Sequence, residues 1–232
     1  PKMRCLTSNK RLNKPNKNGG GEMQLVVKVG GWFGLILIEQ WATGVYLAGL
    51  QAQALGTAIF LIGSGMLVLV GLALGLGYVC RHDWLRPRRQ WRQALIAGGL
   101  ALGGLMIMSA MMMTIMHGLG QDATTNQQTI AGWLSLRGWR RVWLISQLVI
   151  VAPMLEELLF RGLFCHWFLV QHQVWQALLS AALFATVHEM RLSLSWLLYF
   201  GTGLILVVLY QRQQDLKVNI VVHGLYNLIT LV

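Results

Sequence analysis

The chain has 232 residues, 55% hydrophobic and 12% charged, with a formal net charge of +11 and a mean hydropathy of +0.54. A soluble domain carries about 25% charged residues, so this composition excludes an ordinary soluble enzyme and points to a polytopic membrane protein. The basic excess does not indicate a nucleic-acid partner: Lys and Arg concentrate in residues 1–28 and 81–92, which flank apolar runs in the manner of the positive-inside rule.

Residues 1–24 are polar and basic, and are expected to form a disordered cytoplasmic tail without a signal-peptide layout. A first span is expected over 25–50, with Glu39 in its middle. An intramembrane carboxylate is a functional hypothesis by default, although a kink, a helix end or a neutral acid accounts for it as well. The uncharged run 55–79 is the second span, and its Gly71-x-x-x-Gly75 spacing predicts close helix approach. The basic loop 81–89 follows, suited to the cytoplasmic face and to anionic head groups.

The third span, 94–116, is rich in Met. Thioethers can ligate copper, but flexible packing is the simpler account. Residues 117–138 are expected to be an extracytoplasmic loop. Arg137, Arg140 and Arg141 then precede the fourth span, which starts near Val142. Their charge on that side conflicts with the positive-inside count, and a re-entrant or interfacial segment before Val142 would remove the conflict. Shorter apolar runs at 174–188, 192–211 and 218–232 bring the expected total to about seven spans. Cys5, Cys80 and Cys165 offer neither a disulfide framework nor a CxxC pair. His82, His117, His166 and His172 read as ordinary interhelical donors.

Three polar clusters interrupt the apolar runs. In Glu156-Glu157-Leu158-Leu159-Phe160-Arg161, Glu157 and Arg161 are i and i+4 on one helical face and can pair. Glu156 points about 100° away round the helix and stays available. Each such charge costs at least ~2.5–3.5 kcal/mol at the centre of a membrane helix, so the cluster invites a functional explanation. Phe184 and His188 share a face, and so do His223 and Asn227. A carboxylate, two imidazoles and an amide suit either metal ligation or metal-free activation of water, with Asn or His as oxyanion donor.

Other protease layouts do not fit. His188-Glu189-Met190-Arg191-Leu192 lacks the second histidine of a zincin. Gly63-Ser64-Gly65 is not a Gly-x-Ser-x-Gly serine, and Asp83, Asp122 and Asp215 all fall in loops rather than in spans.

In this order on hydrophobic segments, the three clusters resemble the CPBP family of CAAX prenyl proteases and abortive-infection or bacteriocin-processing intramembrane proteases. The resemblance covers 142–232 and implies an all-α transmembrane bundle with an internal polar cavity, open to the cytoplasm or reached laterally from lipid. It implies hydrolysis of a peptide bond in a membrane-associated substrate, prenylated at a CAAX end or not. The partners are then the bilayer and that substrate, with no nucleic acid. Carried over, Glu156 is the general base, His188 and His223 position the water, and Asn227 stabilises the oxyanion. Glu157 and Arg161 hold the helix geometry beside Phe184. His188, His223 and Glu156 are also the candidate ligands for a divalent metal such as zinc, and the metal-free alternative stays open.

The expected organisation is a tail (1–24), N-terminal transmembrane helices (25–141) and a catalytic core (142–232), in a bacterial cytoplasmic membrane with the N-terminus inside. The alternative class is a non-catalytic scaffold or bacteriocin self-immunity protein on the same fold. A transporter with Glu156 as proton relay is the third.

Overall fold

The computed structural model describes residues 20–81, 91–121 and 123–231. Most of the basic tail, with Cys5, and most of the basic loop, with His82 and Asp83, lie outside the described residues, as does Asp122. The described chain forms eight helices and no strand. They are α1 (Gly20–Gln51), α2 (Leu55–Val79), α3 (Trp91–Gly118), α4 (Thr125–Leu134), α5 (Trp139–Trp167), α6 (Gln173–His188), α7 (Leu194–Gln213) and α8 (Leu216–Thr230).

Five helices, α1, α2, α3, α5 and α7, are long and apolar enough to cross a membrane, and the chain is an integral membrane protein. The expectation of about seven spans meets a length limit in the other apolar runs. α6 has 16 residues and α8 has 15. At about 1.5 Å per residue they fall short of a ~30 Å hydrocarbon core. Both are instead held among longer neighbours, α6 against α7 and α8 against α3 and α5.

The N-terminal helix begins at Gly20, inside the segment read as tail. The polar loop of 117–138 contains α4, started by a capping box in which Thr124 Oγ1 accepts from Gln127 N and Gln127 Oε1 accepts from Thr124 N. Ten residues cannot cross a bilayer, so α4 is a non-spanning segment, and the arginines ahead of Val142 stay on the side opposite the basic loop. Arg140 donates from Nη2 to the Ala52 carbonyl in the α1–α2 turn at 2.8 Å.

α1 runs antiparallel to α5. Trp32 Nε1 donates to Leu159 O at 2.9 Å, Gln147 Nε2 to Thr43 Oγ1 at 3.4 Å, and Tyr46 Oη to Trp143 O at 2.9 Å. These contacts share one register, which sets Glu39 level with Val151 and Ala152, about one turn from Glu156.

α5 departs from regular α geometry twice, in π-helical turns at Gln147–Val151 and Leu158–Phe164 that flank the α-helical segment Ala152–Glu157. Such turns widen the helix and free carbonyls for other partners. Leu159 O takes the Trp32 indole, and Phe160 O accepts from Ser180 Oγ on α6 at 3.4 Å. Around them Phe160 packs against Trp32 and Phe184 with ring centroids 5.3 and 5.4 Å apart. Lipid is as apolar as these rings, so close packing rather than escape from water holds the helices together.

Close approach of α1 and α2 does not use Gly71 and Gly75, which have no neighbour within 4 Å of an added Cβ. It uses Gly49 and Gly65. A Cβ at Gly65 would stand 2.9 Å from the Ala42 carbonyl oxygen and from the Tyr46 backbone nitrogen. Among the methionines of α3, Met116 is fully buried while Met111 faces outward, as expected of packing residues on a lipid-facing helix.

Gly65→Ala is therefore expected to cost about 1–3 kcal/mol of stability through overpacking against backbone, while Gly71→Ala is neutral. Thermal unfolding of the two variants in one detergent checks the difference; equal midpoints would contradict the assigned contact.

Candidate active site

The site is built on Glu157. Its carboxylate and the Arg161 guanidinium are both fully buried, paired at 3.0 Å one helical turn apart. Arg161 Nη2 also donates to Gly203 O on α7 at 3.1 Å, and its guanidinium carbon lies 4.9 Å from the centre of the Phe184 ring. From α8, Asn219 Nδ2 donates to Glu157 Oε2 at 3.1 Å and to Leu206 O at 2.7 Å. His223 Nδ1 stands 2.9 Å from Glu157 Oε1. A carboxylate taken out of water costs several kcal/mol unless paired and hydrogen-bonded; Glu157 is both, through two helices.

Glu156 faces the other way, into a cavity of about 570 Å³. Its carboxylate is 15% exposed, and Oε2 is buried without a hydrogen-bond partner. Two imidazoles flank it, His188 Nε2 at 3.7 Å from Oε1 and His223 Nε2 at 3.6 Å from Oε2. Neither separation is a direct hydrogen bond. In both rings Nδ1 is already engaged, His188 with the Phe184 carbonyl at 2.9 Å and His223 with Glu157. A carbonyl and an ionised carboxylate can only accept, so each Nδ1 carries a proton, and in the neutral form of each ring Nε2 presents a lone pair. Three acceptor groups thus converge on one space.

His188 is held between rings, with centroid distances of 4.4 Å to Phe184 and 4.7 Å to Tyr199, the latter stacked. Asn227 lines the same cavity. Its Nδ2 donates to Leu148 O at 2.9 Å, which uses one amide hydrogen and leaves the second. The partner carbonyl has a local cause. Pro153 has no N–H to return to the preceding turn, so one carbonyl there loses its helical donor, and Leu148 O takes Asn227 instead. Val149 O lies 2.6 Å from where a Cβ on Gly224 would be. Only glycine lets α8 approach this far.

The structure thus brings together Glu156, His188, His223 and Asn227 on one cavity, with Phe184 in the same wall and Glu157 and Arg161 behind it. His117, His166 and His172 do not line it. Among the described residues, no three His, Cys, Asp or Glu side chains form a group that could hold a metal ion. Glu156, His188 and His223 nevertheless turn acceptor atoms toward one space, a donor set that suits a water molecule and equally a divalent cation.

Two residues went unrecognised or underweighted in the sequence. Asn219 completes an i, i+4, i+8 series with His223 and Asn227, the signal that could have found it. Glu39 is 4% exposed and lines the same cavity. No pattern in its own segment separates it from a lone buried acid; only the α1–α5 register does.

Arg161→Met leaves the Glu157 carboxylate buried beside His223 and Asn219 without its cation, and is expected to destabilise the fold by about 3–5 kcal/mol. Adding Glu157→Gln should restore part of that loss. Detergent-resistant monodispersity and unfolding midpoints of the single and double variants check this; equal loss in both would show that the pair is not coupled.

Residues 137–229 match the family described as type II CAAX prenyl endopeptidase, Rce1-like. The UPF0177 protein YbdI of Lactococcus lactis subsp. lactis (strain IL1403) is 35% identical over 85 residues, 37% of this chain and 45% of that protein. The match thus spans under half the length of that relative, whose name states no activity. No solved structure matches. The matched family segment starts just before α5, ends in the last turn of α8, and contains every residue of the Glu156 and Glu157 clusters but not Glu39. Residues 137–229 of this membrane protein are an Rce1-like type II CAAX prenyl endopeptidase domain of the CPBP family.

Proposed function

We propose that the chain is an intramembrane endopeptidase in which Glu156 activates water. The observation that carries this reading is the convergence of Glu156 with the Nε2 atoms of His188 and His223, at 3.7 and 3.6 Å. All three present acceptors, and a water molecule supplies what they lack: one hydrogen to Glu156, the other to an imidazole, and a lone pair left for attack. Glu156 takes the proton as the water oxygen bonds to the peptide carbonyl carbon. The second Nδ2 hydrogen of Asn227 meets the developing oxyanion. The proton on Glu156 then passes to the leaving nitrogen as the C–N bond breaks, and the carboxylate is regenerated. Each Nδ1 contact fixes its ring so that Nε2 needs no rearrangement during the reaction.

The substrate is a membrane-associated peptide or protein, since the cavity lies within a bundle of membrane-spanning helices. Prenylated CAAX ends belong to the family's description. The basic loop at 81–92 sets its side of the membrane as cytoplasmic. The cavity then lies in the opposite half of the bundle, with α4, the α1–α2 turn and the start of α5. Of the two routes that the family resemblance implies, an opening to the cytoplasm or lateral entry from lipid, this placement accords with the lateral one. A cysteine introduced at Ser135, beyond α4, is expected to react with an impermeant maleimide on intact cells. Labelling only after lysis would reverse the orientation.

Glu156→Gln is expected to lower peptide cleavage about 10²–10⁴-fold without moving the unfolding midpoint, and Asn227→Ala to lower kcat by about 10²–10³-fold. Mass spectrometry of a membrane-peptide library incubated with the purified full chain reads both. Products unchanged in Glu156→Gln would overturn the reading. Retained partner capture with no product from any variant would favour a scaffold.

A further inference from the structure

The cavity contains a second carboxylate that the hydrolytic step does not use. Glu39 comes from α1, outside the matched domain. It is 4% exposed and faces the same space as Glu156 and His188, near enough for its charge to interact with both. Its position is defined rather than incidental. Thr43 Oγ1 donates to Oε1 at 3.0 Å and Gln40 Nε2 donates to Oε2 at 2.8 Å. Thr43 is itself held by Gln147 Nε2 across the interface at 3.4 Å. Both donors on Glu39 are neutral, so α1 gives its carboxyl group no fixed cationic partner, and a cation entering the cavity is what would hold it ionised.

The remaining wall has the same bias. Among the described residues lining the cavity there is no Lys or Arg. Arg161 stands behind the wall, used by Glu157 and by Gly203 O. A peptide released from a CAAX end carries a free carboxylate, and this space offers that anion two glutamates and no fixed cation. A cationic side chain entering the same space would complete the solvation of Glu39, whereas an anionic one meets like charge in a poorly hydrated site.

We propose that Glu39 is a specificity-determining carboxylate that selects an internal peptide segment bearing a Lys or Arg near the scissile bond, and rejects segments that end in a free carboxylate there. This proposal rests on the endopeptidase reading of the site. The chemistry at Glu156 is unchanged by it; what changes is which peptide reaches Glu156.

The test uses the purified full chain in detergent, with matched fluorescent peptides that differ at one position, Lys, Gln or Glu, and at the C-terminus, amide or free acid. Binding is measured in the Glu156→Gln background, so it does not depend on turnover, and kcat/KM is measured on the unsubstituted protein. The Lys peptide is expected to bind about tenfold or more tighter than the Glu peptide, a difference of about 1.4 kcal/mol, and the amide tighter than the acid. Adding Glu39→Gln should reduce both ratios to about twofold or less, and Glu39→Asp should keep the preference. An equal affinity for Lys and Glu peptides overturns the proposal without need of any Glu39 variant, and so does a preference that survives Glu39→Gln. A Lys preference lost in Glu39→Gln, with no cleavage by the unsubstituted chain, would uphold Glu39 and defeat the endopeptidase reading instead.

Discussion

Everything at the site depends on one buried ion pair that does no chemistry itself. Glu157 and Arg161, fully buried and 3.0 Å apart, join three helices. Arg161 reaches α7 through Gly203 O, and Glu157 reaches α8 through Asn219 and His223. Because adjacent residues on a helix point about 100° apart, burying Glu157 obliges Glu156 to face elsewhere, and the space it faces is the cavity. Because His223 Nδ1 is tied to Glu157, its Nε2 is turned toward Glu156. The pair thus acts as a jig, setting the base, one imidazole and the crossing of α8 at once. Replacing it by apolar side chains of similar volume could leave a stable bundle, but nothing would then orient His223.

The second constraint is covalent. Pro153 stands just after one π-helical turn and three residues before Glu156. Its missing N–H leaves Leu148 O for Asn227, and one residue on, Val149 O stands against the backbone of Gly224. The amide of Asn227 is therefore positioned by a defect in the helix opposite, and Gly224 permits the approach. Glu156 lies on the short regular segment between the two wide turns, where its direction is well defined.

The helical pairings of this site were legible in the sequence, and its assembly was not. Spacing separated Glu157, with Arg161, from Glu156, and placed His223 and Asn227 on one face, because i, i+4 relations are properties of a single helix. The family could be named from 142–232, since its three clusters are local. Span number was not legible: 15 or 16 apolar residues look alike whether a helix crosses lipid or is held among longer neighbours. The ten-residue helix α4 escaped notice because its polar residues resemble a loop; its only advance signal was the Thr124 and Gln127 capping pair. The Gly71 and Gly75 spacing pointed to the wrong face of α2, as a motif of small residues does not say which side has a neighbour. Glu39 and Asn219 depend on tertiary register, which no single segment encodes.

The cavity wall has two sources. Residues 137–229 supply Glu156, both imidazoles and the amide, while α1 supplies Glu39, Gln40 and Thr43. The hydrogen bonds joining them run largely to main-chain carbonyls, at Leu159 and Trp143 on α5 and at Ala52 in the α1–α2 turn. The docking donors on α1 are Trp32 and Tyr46, so Glu39 and Gln40 between them can change in sequence while the docking geometry persists. A lineage of such proteins could keep residues 137–229 and change what its cavity admits by altering a single N-terminal helix.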